Sequence, residues 1–401
     1  MTEPKRAAPD WRFMATLAAL TLIGPLAVHS FLPVMPAIKS VFGVSDAMAG
    51  LGFTIGLLVM AFATLIYGSL SDRYGRRPVL LTGLTLFVAG GALSSVADSY
   101  AGFIAGRMLQ ALGAGCSTTL ARAIARDAYG SDVLIKVIAY LTMAYTLGPM
   151  ISPYITGLIV DSAGWRAAFW FMALAGLAIF AGSWMILKET HPREARQPRH
   201  GSYLRDYIRL FSHLRFTAYV LQSGFSSACF YTLAAASAFL MTGYLGRSAS
   251  EFGGYFALIP FGFFLGNLVS SRLTNRFSIE TMVIAGACIN FLAITTQSIA
   301  ILAGQLTPLL LFIPGALVTF GQGLALPNAT TGAMRIIPSL AGTASGTGVF
   351  CQAFLGALFA QVYSTISDGT PLSMTWVIWF CSAMTLIFGS IPFILKRSGR
   401  P

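Results

Sequence analysis

Twelve apolar runs, each long enough to cross a lipid bilayer as a helix, follow one another along this chain. They lie at about 13–36, 47–70, 78–97, 100–122, 135–160, 165–188, 216–243, 251–274, 281–303, 308–334, 340–365 and 373–395. A helix needs about 20 mostly apolar residues to cover the hydrocarbon core. The runs are continuous rather than alternating, so the strands of a barrel are a poor fit. Of 401 residues, 56% are hydrophobic and only 10% are charged, whereas soluble domains carry about 25% charged residues. Too few charges remain to cover a globular surface, and lipid is the expected solvent. The net charge of +12 would suit nucleic acid only if the basic residues clustered on one soluble face. They fall instead in short segments between apolar runs.

Those segments predict orientation. With the N-terminus inside, 22 lysines and arginines lie on the cytoplasmic side and 3 (Lys39, Arg166 and Arg247) on the other, while Arg107 lies within a run. This bias predicts an even number of crossings and two cytoplasmic termini. Lys5, Arg6 and Arg12 precede a first run that is too long for a secretory leader and has further runs behind it, so an uncleaved first helix is expected. The longest polar stretch divides the chain into residues 1–188, a cytoplasmic linker at 189–215, and residues 216–401. Within the linker, Tyr203 to Phe211 has the pattern of a short amphipathic helix on the membrane surface. The halves read as a diverged repeat. Leu70-Ser71-Asp72-Arg73-Tyr74 after the second run is echoed by Leu273-Thr274-Asn275-Arg276-Phe277 after the eighth.

The loop between the second and third runs, Gly68-Ser69-Leu70-Ser71-Asp72-Arg73-Tyr74-Gly75-Arg76-Arg77-Pro78-Val79-Leu80-Leu81, packs charges into a membrane boundary. A carboxylate placed there needs a cationic or dipolar partner. Arg73, Arg76 and Arg77 are in reach, and Pro338-Ser339 marks a helix start on the same face whose partial positive charge suits Asp72. The pattern G-x-L-x-D-R-x-G-R-R-x-x-L-L resembles the loop signature of the major facilitator superfamily. That resemblance extends over nearly the whole chain. It implies an all-α membrane protein, with twelve transmembrane helices in two pseudo-symmetric six-helix bundles that rock about a midmembrane cavity. It also makes Gly68, Asp72, Arg73, Gly75, Arg76 and Asp127 a cytoplasmic gate, the last within Arg122-Ala123-Ile124-Ala125-Arg126-Asp127.

Arg107 sits inside the fourth run, where an arginine costs at least about 2.5–3.5 kcal/mol on the insertion scale unless it snorkels outward. Arg107-Met108-Leu109-Gln110-Ala111-Leu112-Gly113 resembles the family's R-x-x-Q-G-x-G motif, with Ala111 at the first glycine. The resemblance implicates Arg107 in proton coupling. In the fifth run, Gly148-Pro149-Met150-Ile151-Ser152-Pro153-Tyr154-Ile155-Thr156-Gly157 places two prolines inside a helix, each deleting a backbone hydrogen bond and bending it. It resembles the antiporter motif of drug exporters, in the form carried by the Bcr/CflA branch, with Ala144 replacing a glycine of the general motif. The motif residues are Gly148, Pro149, Ser152, Pro153 and Gly157.

The first run departs from that branch. Ala27-Val28-His29-Ser30-Phe31-Leu32-Pro33 puts His29 where the branch carries an aspartate, and no Asp or Glu lies well inside any run. Histidine ionises near neutrality, so His29 is either the proton carrier or a neutral polar contact for substrate. Tyr145, Gln222, Tyr231, Asn267, Asn290, Gln322, Asn328 and Gln352 are candidates to line a cavity, each with an interhelical hydrogen bond as its alternative. The five cysteines lie in apolar runs without C-x-x-C spacing, and no P-loop, HExxH or GxSxG pattern occurs. No metal, cofactor or catalytic set is expected.

The expected function is secondary active efflux of small amphipathic organic molecules by alternating access, exchanged for protons. The setting is a monomer in a bacterial inner membrane, with no nucleic acid partner. One alternative is an importer or facilitator without proton coupling, which the missing intramembrane carboxylate favours. The other is a membrane sensor or membrane-bound enzyme, which lacks an effector domain or catalytic constellation in the sequence.

Overall fold

The computed structural model describes residues 11–129, 131–191, 203–274 and 276–398. Lys5, Arg6, residues 192–202 of the central linker, Asn275 and Arg400 lie outside the described residues. Among the described residues the chain is helical, without strands. The helices are α1 (Trp11–His29), α2 (Met35–Phe42), α3 (Asp46–Tyr74), α4 (Arg76–Ser95), α5 (Tyr100–Ala114), α6 (Ser117–Ala128) and α7 (Ser131–Ile186). They continue with α8 (Tyr203–Phe211), α9 (Leu214–Phe239), α10 (Ala249–Phe256), α11 (Leu258–Leu273), α12 (Ile279–Leu302), α13 (Pro308–Ile336), α14 (Ala341–Ile366) and α15 (Pro371–Arg397).

Ten helical segments among the described residues are long and apolar enough to cross a membrane. One of them, Lys136–Ile186, contains two of the expected crossings. Gly164 interrupts α7 at φ 81, ψ 174, a conformation open to glycine and strained for other residues. The remaining crossing is the pair α5 and α6, divided by a turn at Gly115 and Cys116 into pieces too short to span singly. The sequence reads 100–122 as unbroken. The weak helix formers Gly113 and Gly115 flank the break, and Gly115 packs so closely on α3 that a Cβ there would sit 2.6 Å from the Ala63 Cβ. With both breaks counted, the described residues hold twelve apolar segments of crossing length.

The first run is also broken. Helix α1 ends at His29, a 3-10 turn covers Leu32–Val34, and α2 follows. The sequence reads 13–36 as unbroken, but Pro33 has no N–H to give and its ring crowds the carbonyl four residues back, so the helix stops before it.

By internal packing, the described parts of Met1–Phe31, Val59–Ser152 and Ser162–Arg199 form one compact unit. Those of Leu32–Leu58, Pro153–Asp161 and His200–Pro401 form a second. In the first unit, α4 and α5 pack with almost no space between backbones. A Cβ at Gly90 would lie 2.2 Å from the Gln110 nitrogen, and one at Gly113 would lie 2.3 Å from the Phe87 nitrogen. This seam fixes the rotation of α5 and therefore the direction in which Arg107 points. In the second unit, Leu210, Phe216, Tyr219, Val220, Ile337 and Ala344 share one apolar core.

Candidate functional site: a buried arginine, a charged loop and a close-packed helix

Arg107 is 1% exposed. It does not snorkel outward, because its guanidinium turns inward. Nη2 donates to the Ala27 carbonyl at 3.1 Å and Nη1 donates to Gln110 Oε1. The guanidinium carbon lies 4.3 Å from the Phe31 ring centre and 5.8 Å from that of Phe169. A helix leaves its last carbonyls without intrahelical donors, and α1 ends two residues beyond Ala27. Arg107 thus supplies a donor to a carbonyl that the helix end leaves short, while two aromatic faces accommodate its charge. His29, the last residue of α1, is 5% exposed and buried with it in the same unit. The result is a buried guanidinium anchored two residues before the histidine that ends α1.

The loop signature forms a compact ionic network. Gly75 adopts φ 103, which lets α3 turn into α4 in one residue. Arg76, only 3% exposed, pairs with Asp72 at 2.7 Å and with Asp127 at 2.9 Å, and its Nη1 donates to Ser71 Oγ at 2.6 Å. Asp72 is itself half exposed, at 47%. A cavity of about 370 Å³ opens beside these groups, lined also by Gly68, Arg122 and Arg126. Arg73 stacks over the Tyr74 ring at 5.3 Å. Glu189, 113 residues away in sequence, accepts from the Arg76 nitrogen at 2.9 Å and from the Arg77 nitrogen at 3.3 Å. It caps α4 and meets the positive end of that helix. Sequence reasoning missed Glu189, since nothing local marks a carboxylate as the cap of a distant helix.

The fifth-run motif serves two contacts. A Cβ at Gly148 would meet the Pro25 ring at 2.4 Å, within the first unit. In the second unit, a Cβ at Gly157 would lie 2.3 Å from the Ala249 carbonyl oxygen, and one at Gly253 would lie 2.5 Å from that of Pro153. Four residues past Gly157, Asp161 accepts from the Ala249 nitrogen at 3.1 Å and the Ser250 nitrogen at 2.8 Å. Ser248 and Glu251 complete a capping box at the same end of α10. Burial pushes the Asp161 carboxyl up, but donation from Ser250, Ala249 and Ser248 outweighs it and holds the group below its ordinary value. Asp161 was not singled out by the sequence. It reads as an ordinary loop acid. Pro149 and Ser152 lie within α7, and Ser152 is 4% exposed.

Most of the polar candidates are bonded or at least partly buried, and Tyr145 is the exposed one among them. Gln322 Nε2 donates to Ser227 Oγ at 2.9 Å, and Asn328 Nδ2 donates to Ser270 Oγ at 2.8 Å. Asn267 donates back to Phe263 in its own helix, and Gln222 is 1% exposed. Tyr231 packs its ring on Phe230 and Phe53, and Tyr145 is 36% exposed. Missed by the sequence is a second polar joint, where Thr54 donates to Gln361, Gln361 to the Ala47 carbonyl, and Lys39 pairs with Asp46 at 2.6 Å.

Comparison with known proteins places this geometry. The Major Facilitator Superfamily signature matches residues 17–361. Over 380 residues the chain is 27% identical to a bicyclomycin resistance protein homolog of Haemophilus influenzae, covering 94% of each chain. It is 31% identical over 371 residues to multidrug resistance protein D of Escherichia coli K12, covering 90% of this chain and 91% of the relative. Among solved structures it resembles a D-xylose–proton symporter, with a TM-score of 0.76 and 14% identity over 98% of both chains. A bacterial homolog of the human lysosomal transporter Spinster, in an inward-facing and unoccupied conformation, gives 0.74 and 18% identity, covering 97% of this chain and 98% of that one. A family signature spanning most of the length, two near-full-length relatives and a shared helical fold lead to one assignment: the chain is a multi-pass membrane protein of the major facilitator superfamily, a transporter and not an enzyme.

Proposed function

We propose that this protein exports small amphipathic organic molecules, of the multidrug type, by alternating access and in exchange for protons. Near-full-length similarity to proteins named for bicyclomycin and multidrug resistance carries the reading. The tightly packed glycines at both ends of the α7 motif support it. The two halves, 1–188 and 216–401, act as the rocking bodies, and the Asp72–Arg76–Asp127 network with Gly68, Arg73 and Gly75 is the cytoplasmic gate. His29 and Arg107 form the coupling centre. Tyr145, Gln222, Tyr231, Asn267 and Gln322 are assigned to the transport path. The protein works as a monomer in a bacterial inner membrane with both termini in the cytoplasm, following the basic-residue bias.

Coupling is tested by reconstituting wild type, His29→Ala and Arg107→Ala and measuring accumulation of a fluorescent amphipathic cation under an imposed pH gradient. Proton exchange through His29 predicts gradient-driven movement in wild type that His29→Ala abolishes. Gradient-driven movement surviving in His29→Ala would remove His29 from the carrier role and leave it a substrate contact. A second reading, facilitated movement without protons, is favoured by the lack of any Asp or Glu well inside an apolar run. It predicts equal rates with and without the gradient.

A further inference from the structure

Helix α8 is not a free linker segment. Its C-terminal end is joined to α9 by a hydrogen-bonded elbow, in which the Ser212 nitrogen donates to the Ile208 carbonyl at 3.0 Å. The His213 nitrogen donates to Leu210 at 3.1 Å, and Thr217 Oγ1 donates to Phe211 at 3.2 Å. On one side of the helix Leu210 is fully buried, in the core formed with Phe216, Tyr219, Ile337 and Ala344. Phe211 adds an edge-on ring contact with Phe216 at 5.4 Å. This core joins α8 to the first turns of α9 and to the start of α14.

The other side is open. Ile208 is 65% exposed, Phe211 45% and Leu214 58%. Arg209 lies exposed beside them, and Arg205 precedes it by four residues in the sequence. Leu214 is the first residue of α9, itself part of a membrane-crossing segment. The open apolar face of α8 thus ends where a membrane-crossing segment begins, at the depth of the headgroups, and the exposed Arg209 suits the phosphates of anionic lipids. A short helix with an open apolar side and an exposed arginine beside it suits a headgroup layer.

We propose that α8 binds the anionic lipid surface of the leaflet that α9 enters, and that Leu210 passes the state of that contact to the start of α14. Ile208, Phe211 and Leu214 occupy the headgroup region, Arg209 meets lipid phosphate, and Leu210 holds Ile337 and Ala344 in register with the helix. Membrane charge thereby biases the end of α14 nearest α8. The proposal stands apart from what is transported or whether protons drive it.

The test uses the full-length protein in nanodiscs of phosphatidylcholine alone and of phosphatidylcholine with phosphatidylglycerol, read by amide hydrogen exchange. One arginine at an anionic surface changes the partition of its segment about fivefold, so exchange over 207–213 slows about that much when phosphatidylglycerol is present. Exchange over 337–345 slows with it. Arg209→Gln abolishes both effects. Leu210→Ala retains the first and loses the second, and because each variant is compared with itself in two lipids, a general loss of stability cannot mimic this pattern. Equal exchange of wild type in the two lipids would overturn the proposal. So would protection that follows protein density rather than lipid charge, since a second copy would then cover the face. A lipid effect on 337–345 that persists in Leu210→Ala would overturn the coupling.

Discussion

The guanidinium of Arg107 donates to the main-chain carbonyl of Ala27 at 3.1 Å, which ties the fourth crossing to the broken end of the first. A lysine could carry the charge but not the planar fork that reaches Ala27 and Gln110 together. A lost hydrogen bond to a charged group is worth about 1.5–3 kcal/mol, or at least about tenfold in rate if it falls on the transport step. Arg107→Lys is expected to fold and to lose at least that much transport, measured as initial uptake into proteoliposomes.

Arg76 is the hub of the charged loop, nearly buried between Asp72 and Asp127. Removing it strands a carboxylate, and breaking a buried pair in this way costs about 3–5 kcal/mol. Asp72 is 47% exposed and Asp127 15%, so the two acids are unequal. Thermal unfolding in detergent is expected to fall most for Arg76→Ala, less for Asp127→Asn, and least for Asp72→Asn, whose exposed pair contributes at most about 1 kcal/mol.

Two glycines of α7 give a matched comparison. A Cβ at Gly157 would strike the Ala249 carbonyl, whereas one at Gly182 would meet nothing within 4 Å. Overpacking against a backbone typically costs about 1–3 kcal/mol, and alanine is favoured over glycine in an open helix position. Gly157→Ala is expected to lower the melting temperature and transport together, and Gly182→Ala to leave both unchanged or slightly improved.

The Asp161 contact with α10 has a defined acid dependence. Because its hydrogen bonds hold the carboxyl below its ordinary value, the stabilisation is fully present above the usual carboxylate range, about pH 4. It is lost as pH falls through the depressed value. Amide exchange at Ala249 and Ser250, corrected for its intrinsic pH dependence, is expected to show constant protection from neutral pH down to that range and to lose protection in stronger acid. Asp161→Asn should show the faster exchange already at neutral pH.

Much of this was legible in the sequence because lipid makes helices announce themselves by length and orient themselves by charge. The loop from Gly68 to Leu81 and the helix at Tyr203 to Phe211 carry local signals, whereas the break between His29 and Met35 lay inside a run read as continuous. What the sequence hid depends on distant backbone. Glu189 caps a helix that begins 113 residues earlier, and Asp161 caps one 88 residues later. No spacing rule links such pairs, since either acid would look the same beside solvent. The turn at Gly115 escaped for another reason. The apolar pattern runs straight through it, and Gly115 and Cys116 depart only slightly from helical dihedrals. Arg107 was found as a charge out of place, but its inward direction depends on the seam between α4 and α5.

Proton-driven export is tested most directly in sealed vesicles that hold equal substrate inside and out, with only a pH difference across the membrane. The reading predicts that substrate then moves against its own rising gradient toward the acidic side, and that collapsing the pH difference with an ionophore returns it to balance. Substrate that stays equal on both sides while the pH difference persists, although it crosses the membrane freely in exchange assays, would contradict it.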